Sequence, residues 1–121
     1  MINNIMKTIK VYHKPTCTTS RKVIKLLSDK CTDFEKINYY EKRFTKTRLN
    51  ELFKMMDKEP SEILRKKEAA YKKLDFKNKK YTESQILNLM IQNPDLIERP
   101  IVQKGKKAIL ARPPETVKTF V

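Results

Sequence analysis

The first 40 residues follow a strand–loop–helix–strand pattern, and this pattern restricts the fold more than any other feature of the chain. Residues 8–14, TIKVYHK, alternate apolar and polar side chains and favour a β-strand. Residues 19–30 carry apolar side chains at helical spacing, with Thr18 or Thr19 as the expected N-cap. Residues 34–40, FEKINYY, alternate again. Because a βαβ unit places its two strands parallel, the chain is predicted to form an α/β sheet.

The middle of the chain is predicted to be helical and is rich in lysine. Thr45 precedes the apolar-periodic segment KTRLNELFKMMD as its N-cap. Pro60 and Ser61 open a short helix. Thr82 caps a further helix, which ends before Pro94. No internal repeat and no low-complexity linker interrupts this stretch.

The C-terminal residues return to β-structure. The segment RPIVQKGKKAILARPPE is typical of a strand, a turn at Lys104–Gly105 and a second strand. Pro113 and Pro114 then open a last short helix that reaches Phe120. Two strands and a helix therefore end the chain.

The order βαβ, helices, ββα corresponds to an α/β thioredoxin/glutaredoxin-like fold with an all-helical insertion. A length of 121 residues, 39% of them hydrophobic, is sufficient for one domain with its own core. We place the thioredoxin-like core at about 7–41 and 98–121, and the helical insertion at about 42–97. No apolar run approaches 18 residues and no signal peptide is evident. We therefore expect a cytoplasmic monomer that does not associate with membranes.

The charge of the chain is strongly positive. It contains 28 Lys and Arg against 14 Asp and Glu, a net charge of +14. Such a charge favours anionic partners, among them oxyanions, anionic thiols and nucleic acids. Most of the excess is lysine scattered along helices, which is typical of a solvated surface, and we identify no alternation of basic and aromatic residues of the kind that binds single strands. We therefore do not expect nucleic acid as a partner.

Cys17 lies between the first predicted strand and the first predicted helix, in the segment HKPTCTTSRK. The N–H groups and the dipole at a helix N-terminus lower a thiol pKa from about 8.5 to roughly 3.5–7.5. Arg21 adds positive charge there, the Ser20 hydroxyl is able to donate to the sulfur, and His13 could pair with the thiolate. Because the thiolate is the reactive form, Cys17 is a candidate nucleophile. The alternative is a small buried residue with a structural role.

The remaining cysteine and the short motif around Cys17 limit the chemistry further. Cys31 follows the first helix and is expected to pack rather than to act as a resolving thiol. Ser20 occupies the second cysteine position of a Cys-x-x-Cys motif, so no internal disulfide forms at this motif. Oxidised Cys17 must then be reduced by an external thiol such as glutathione. One histidine and two distant cysteines lack ligand spacing, so we expect no metal site.

Four ordered motifs, YHKPTCTTSRK, ILRKKEAAY, ERPIV and ARPPE, resemble the glutaredoxin-coupled arsenate reductase family. The resemblance covers nearly the whole chain, from about Thr8 to Phe120. It implies that Cys17 attacks arsenate to form a thiol–arsenate adduct. Glutathione then reduces the adduct, and glutaredoxin releases the mixed disulfide with arsenite as product. Glutathione is thus a co-substrate, glutaredoxin is a partner, and no bound cofactor is expected.

The resemblance also implies roles for other side chains. His13, Ser20 and Arg21 match the histidine and the Ser-Arg pair near the catalytic cysteine of the family. Pro100 matches the proline that is typically cis beside the active cysteine. Taken alone, each arginine of this chain would be interpreted as a surface ion-pair partner. The arginines that match the family's oxyanion ligands are Arg65, Arg99 and Arg112.

Several positions depart from the family pattern, and two other functions stay open. Thr18 replaces the usual glycine after the cysteine, and its Cβ is expected to restrict the loop backbone. Cys31 replaces a glycine after the first helix, and KRFTK replaces a proline pair. One alternative is a glutathione-dependent thiol reductase that acts on another substrate. The other is a regulator of the Spx type, which shares the fold and binds RNA polymerase but commonly carries a second cysteine where this chain has Ser20.

Overall fold

A computed structural model of the chain describes residues 9–30 and 33–121, which form two compact units. The first unit contains the described residues up to Lys42 together with Arg99–Val121, and the second is Arg43–Glu98. Within these ranges, no helix is both long and apolar enough to cross a membrane.

The first unit is built on a mixed four-stranded sheet. Its strands are β1 (Ile9–His13), β2 (Glu35–Asn38), β3 (Ile101–Lys104) and β4 (Lys107–Leu110). They lie in the order β2-β1-β3-β4. Strand β1 pairs parallel with β2 and antiparallel with β3, and β3 pairs antiparallel with β4. The predicted α/β sheet, with its parallel pair in the βαβ unit, is confirmed.

Helix α1 (Thr18–Asp29) connects β1 to β2 and packs its apolar side on the sheet. Val23 and Leu27 are fully buried, one turn apart, and share a core cluster with Val11 of β1 and Val102 of β3. These contacts hold the start of α1 at the carboxyl end of β1.

The first residue of α1 differs from the prediction. Cys17, and neither Thr18 nor Thr19, is the N-cap, with extended backbone angles of φ −82° and ψ 125°. Thr18 takes the first helical position and has no positive φ. Its Cβ therefore imposes no unusual backbone conformation, contrary to the expectation for a residue that replaces glycine.

The second unit consists of short helices. They are α2 (Lys46–Met56), α3 (Ala69–Lys73) and α4 (Glu83–Gln92), with 3₁₀ turns at Pro60–Ile63 and Pro94–Leu96. The helix predicted to open at Pro60 is wrong in its extent, because a 3₁₀ turn and α3 replace it and a loop that contains Arg65 separates them.

The predicted caps of the second unit are confirmed. The side chain of Thr45 accepts a hydrogen bond from the backbone N–H of Arg48 and so caps α2. Thr82 accepts from the N–H of Gln85, whose side chain in turn accepts from the Thr82 N–H, which forms a capping box at α4. Each cap joins residues three positions apart, so both caps can be predicted from the local sequence.

The C-terminal segment returns to the first unit. A two-residue loop, Gly105–Lys106, joins β3 to β4, one residue later than the turn predicted at Lys104–Gly105. Gly105 has φ +61°, a conformation that glycine adopts without a steric cost. A 3₁₀ turn at Pro114–Thr116 and helix α5 (Val117–Phe120) end the chain, as the proline pair predicts.

The buried face of α1 provides a stability prediction. We expect Leu27→Ala to lower the free energy of unfolding by about 3 kcal/mol, because it removes a fully buried side chain and leaves a cavity. Urea denaturation measures the difference. The neighbouring exposed substitution Ser28→Ala is the control and should stay within about 0.5 kcal/mol of the unmodified chain. Equal losses for both variants would contradict the packing of α1 described above.

Candidate functional site

Cys17 lies in the loop between β1 and α1, and hydrogen bonds fix its backbone on both sides. Its N–H donates to the carbonyl oxygen of Lys14 at 2.9 Å. Its carbonyl oxygen accepts from the N–H of Arg21 at 3.0 Å, which is the first bond of the helix. The side chain is half-buried and forms no disulfide. The thiol is therefore held at the N-terminus of α1 and still reaches solvent.

The surroundings of Cys17 lower the pKa of its thiol to about 7. Burial raises this pKa, but the N–H and hydroxyl of Ser20, the guanidinium of Arg99 and the N–H of Thr19 outweigh it. Several donors rather than one therefore stabilise the thiolate. A substantial fraction of Cys17 is then in the nucleophilic thiolate form near neutral pH.

Ser20 connects the thiol to the start of the loop. It is fully buried, and its Oγ accepts a hydrogen bond from the backbone N–H of Lys14 at 3.4 Å. Because the oxygen accepts from Lys14, its own proton is available for the Cys17 sulfur. Ser20 thus occupies the position that the resemblance implies for it.

Arg99 brings a positive charge to Cys17 from the residue two positions before β3. Its side chain is buried, with 3% of its surface exposed. Burial lowers its pKa, but Tyr39, Tyr40 and the Cys17 sulfur outweigh this and raise the pKa above its ordinary value. The guanidinium is therefore charged at neutral pH. The Arg99–Pro100 peptide bond is cis, which confirms the prediction for Pro100.

Arg112 follows β4 and lies against the same loop. Its Nη1 donates to the carbonyl oxygen of Arg99 at 2.9 Å, and the N–H of Ala111 donates to the carbonyl oxygen of Pro100 at 2.9 Å. The Arg112–Pro113 peptide bond is also cis, which the sequence did not predict. The structure thus brings two of the three predicted oxyanion ligands, Arg99 and Arg112, together.

Arg65 belongs to the second unit, where carboxylates surround it. Its Nε lies 3.4 Å from Oε2 of Glu68, and its Nη1 lies 3.0 Å from Oε1 of Glu98. Its backbone N–H donates to the carbonyl oxygen of Leu96 at 2.7 Å. Within its unit Arg65 is an ion-pair partner, and its role as an oxyanion ligand stays a prediction.

Neither His13 nor Arg21 is among the groups that shift the pKa of Cys17. His13 is the buried last residue of β1, and burial together with the charge of Lys36 lowers its pKa, which favours the neutral imidazole. Its Nδ1 has no hydrogen-bond partner among the described residues. Arg21 is exposed and contacts Cys17 through its backbone N–H. Support of the thiolate by these two side chains stays a prediction.

Sequence reasoning missed three residues at this edge of the sheet. The Nζ of Lys14 lies 5.0 Å from the ring centroid of Tyr40, a cation–π contact. The ring of Tyr39, which is almost fully buried, lies 5.1 Å from that of Tyr40. Both tyrosines interact with Arg99. The parallel pairing of β1 and β2 is the signal that could have found them, because the carboxyl ends of parallel strands lie at the same edge.

Fold and site together define a class of protein. It is a thioredoxin-like α/β protein with one cysteine at the N-terminus of its first helix, next to a buried arginine that precedes a cis-proline. In the part of the chain that the structure describes, no group of three or more His, Cys, Asp or Glu residues could hold a metal ion.

Comparison with known proteins gives the family. Residues 12–120 match the model of the ArsC family, and the chain belongs to that family. It is 35% identical over 116 residues to Uncharacterized protein YfgD of Escherichia coli K12, covering 95% of this chain and 98% of that protein. It is 34% identical over 112 residues to the arsenate reductase of the same strain, covering 93% and 79% of the two chains.

A solved structure agrees with this assignment. The arsenate reductase from Vibrio cholerae superposes with a TM-score of 0.88 at 30% identity, over 94% of this chain and 98% of that one. The resemblance to arsenate reductases that the four motifs predict is therefore confirmed at the level of the family and the fold.

The contact between Arg99 and Cys17 provides a prediction about thiol reactivity. We expect Arg99→Met to raise the pKa of Cys17 by about one unit, because it removes the neighbouring positive charge and keeps an unbranched apolar side chain at this buried position. The rate of alkylation by iodoacetamide, measured from pH 5 to 9, should have its midpoint near 7 in the unmodified chain and near 8 in the variant.

Controls show whether the change in the alkylation midpoint comes from the loss of the Arg99 charge. Arg21→Met removes an exposed positive charge and should leave the midpoint near 7 if Arg99 alone acts on the sulfur. Peptide mass spectrometry distinguishes alkylation of Cys17 from alkylation of Cys31. Cys31 lies outside the described residues, so the prediction that it packs rather than acts as a resolving thiol stays a prediction. An unchanged midpoint in Arg99→Met, with an unchanged circular dichroism spectrum, would contradict the assigned contact.

Proposed function

We propose that this protein reduces arsenate to arsenite in the cytoplasm, with Cys17 as the nucleophile, glutathione as co-substrate and glutaredoxin as partner. The observation that carries the proposal is a thiol whose pKa is lowered to about 7, in contact with the guanidinium of Arg99. A thiolate and an arsenate anion repel each other, so their reaction requires a fixed cation beside the sulfur. Membership of the ArsC family, which includes arsenate reductases, supports the same reaction.

In the first step the Cys17 thiolate attacks arsenic. A sulfur–arsenic bond forms, and one arsenate oxygen leaves as water after it takes up protons. Arg99 and Arg112 balance the charge of the remaining oxygens, because the planar guanidinium donates two parallel hydrogen bonds to an oxyanion. The hydrogen bond from Arg112 to the carbonyl oxygen of Arg99 holds the Arg112 guanidinium against the backbone of Arg99.

In the second step arsenic is reduced. The glutathione thiolate attacks the Cys17 sulfur, a sulfur–sulfur bond forms, and the sulfur–arsenic bond breaks. Its electron pair stays on arsenic, which leaves as arsenite. Glutaredoxin then takes the glutathione from the mixed disulfide and returns the Cys17 thiolate. Ser20 stands where a second cysteine would resolve the disulfide internally, so this external reductant is required.

Arg65 completes the proposed set of oxyanion ligands. Its two ion pairs use Nε and Nη1. A guanidinium carries five N–H donors, so other donors are left for an oxyanion. We therefore propose that Arg65 binds substrate while its carboxylate partners hold its orientation.

One observation also favours a second candidate, a glutathione-dependent thiol reductase of another substrate. Thiol–disulfide exchange is fastest when the attacking thiol has a pKa near the ambient pH, and the pKa of Cys17 is about 7. The third hypothesis, an Spx-like regulator that binds RNA polymerase, is less favoured. Ser20 replaces the second cysteine of its redox switch, and the three arginines that match the family's oxyanion ligands favour an enzyme.

A coupled assay tests the main proposal. Arsenate, glutathione, glutaredoxin, glutathione reductase and NADPH are combined with the protein, and arsenite is measured directly. Cys17→Ser should reduce arsenite formation to background, because it removes the nucleophile, whereas the matched variant Cys31→Ser should retain activity. If the unmodified protein forms a glutathione mixed disulfide at Cys17 but no arsenite, the second candidate replaces the first.

A second prediction concerns the oxyanion ligands. Arg112→Ala should lower kcat/KM for arsenate about 100-fold, the usual effect of removing one donor to a developing negative charge. The rate at which oxidised glutathione modifies Cys17 should change much less, since that reaction involves no arsenate. Arg48→Ala, which removes an arginine paired with the exposed Glu51, is the control. Equal losses in both reactions would show that Arg112 acts on the thiol rather than on the oxyanion.

A further inference from the structure

The segment 66–81, KKEAAYKKLDFKNKKY, combines a high positive charge with aromatic residues. It contains seven lysines and three aromatic residues, against only two acidic residues, Glu68 and Asp75. We identify no alternation of basic and aromatic residues of the kind that binds single strands, but in this segment the two residue types lie close together. The segment lies in the second unit, and of its residues only Glu68, an ion-pair partner of Arg65, takes part in the arsenate chemistry proposed above.

Three aromatic rings of this segment form one cluster. The rings of Tyr71 and Phe76 stack with a centroid distance of 4.7 Å and an interplanar angle of 2°. Tyr81 lies against Phe76 at 4.8 Å and 55°. The hydroxyl of Tyr81 donates to the carbonyl oxygen of Leu74 at 2.7 Å, which fixes the third ring. All three side chains are only half-buried, so part of the aromatic surface faces solvent.

An open pocket of about 340 Å³ lies beside this cluster, within the range of small-molecule sites. Three of the residues that line it are exposed lysines, two are aromatic and one is acidic. The lining residues are Lys66, Tyr71, Lys72, Asp75, Phe76 and Lys77. The pocket thus joins an aromatic wall to a surplus of positive charge.

This combination selects a planar aromatic ligand that carries negative charge. Aromatic side chains stack on nucleobases of every kind, and lysine ammonium groups pair with phosphates. Oδ1 of Asp75 accepts a hydrogen bond from the side chain of Asn78 at 2.9 Å, which orients the carboxylate. A carboxylate at this position is able to accept a hydrogen bond from a ribose hydroxyl or an exocyclic amino group.

We infer that this pocket binds a nucleotide, with its base against Tyr71 and Phe76 and its phosphate at Lys66, Lys72 and Lys77. The same chemistry is offered by a free nucleotide and by one unit of a single-stranded nucleic acid. The proposal goes beyond arsenate reduction and does not depend on it.

Binding experiments on the full chain test this inference. ATP, measured by isothermal titration calorimetry, represents the free nucleotide, and a fluorescein-labelled ten-residue oligo(A), measured by fluorescence anisotropy, represents the single strand. Phe76→Leu should weaken binding about tenfold, because it removes the stacking surface and retains an apolar side chain, whereas Phe76→Tyr should retain affinity. Binding of ATP assigns the site to free nucleotides, and pocket-dependent binding of oligo(A) alone assigns it to single strands.

Two triple Lys→Gln variants, which lose the same amount of positive charge, test the role of the lysines at the pocket. Replacing Lys66, Lys72 and Lys77 with Gln should weaken oligo(A) binding and reduce its salt dependence by about 0.7 in logarithmic slope for each phosphate that is no longer neutralised. The matched control replaces three exposed lysines that lie in the first unit with Gln, and it should retain most of the affinity. These control residues are Lys106, Lys107 and Lys118.

Three outcomes would overturn the inference. The first is that neither probe binds at 1 mM protein or ligand. The second is that both triple variants lose affinity equally, which would reveal a general effect of charge. The third is that Phe76→Leu binds like the unmodified chain. Because the replaced lysines are exposed, the triple variants decide the question even if Phe76→Leu fails to fold.

Discussion

The packing of α1 on the sheet is the interaction on which the site at Cys17 depends. Val23 and Leu27 are fully buried against the sheet, and each such side chain contributes roughly 1.5–3 kcal/mol. Their contacts hold the first turn of the helix beside the carboxyl end of β1. The unpaired N–H groups of that turn then meet the Cys17 sulfur. A shift of α1 by one turn, about 5.4 Å, would separate these donors from the thiol.

The charge that activates Cys17 is effective because it is buried. Arg99 has almost no exposed surface, and the Cys17 sulfur is among the groups that raise its pKa. The attraction between the two groups contributes to both shifts, although Ser20 lowers the pKa of the thiol more and the two tyrosines raise that of the guanidinium more. Most of the 28 basic residues are exposed lysines and arginines, whose fields salt screens within about 10 Å. The lowered pKa of the Cys17 thiol therefore depends on one buried guanidinium and the donors of the first helical turn, and not on the net charge of +14.

The two predicted ligands Arg65 and Arg99 show how different environments give one residue type different roles. Arg65 is held by Glu68 and Glu98, so its charge is balanced before any substrate arrives. Among the described groups that raise the pKa of Arg99 there is no carboxylate, only two tyrosines and the thiol.

Elements whose signals are local could be predicted from the sequence. The caps at Thr45 and Thr82 satisfy N–H groups three residues away, and the alternation in β1 and β2 follows directly from the period of a strand. The loop around Arg65 could not be predicted in this way. Leu64, which directly precedes Arg65, forms an isolated β-bridge with the distant Ile97, and such a pairing between distant segments leaves no periodic trace in the sequence.

The sequence by itself determined the βαβ and ββα order, the position of the candidate nucleophile Cys17 and the motifs that resemble those of the arsenate reductases, because each depends on residues close together in the chain. The expectation of a cis-proline at Pro100 followed from that resemblance. Only the tertiary structure decided that Cys17 itself caps α1, since threonine is the better N-cap by local preference. It also decided that Arg99 is among the groups that lower the pKa of the thiol, whereas the neighbouring Arg21 is not. The physical reason is that β3 pairs beside β1, which brings a distant residue to the sulfur, while the helical backbone leaves the Arg21 side chain exposed.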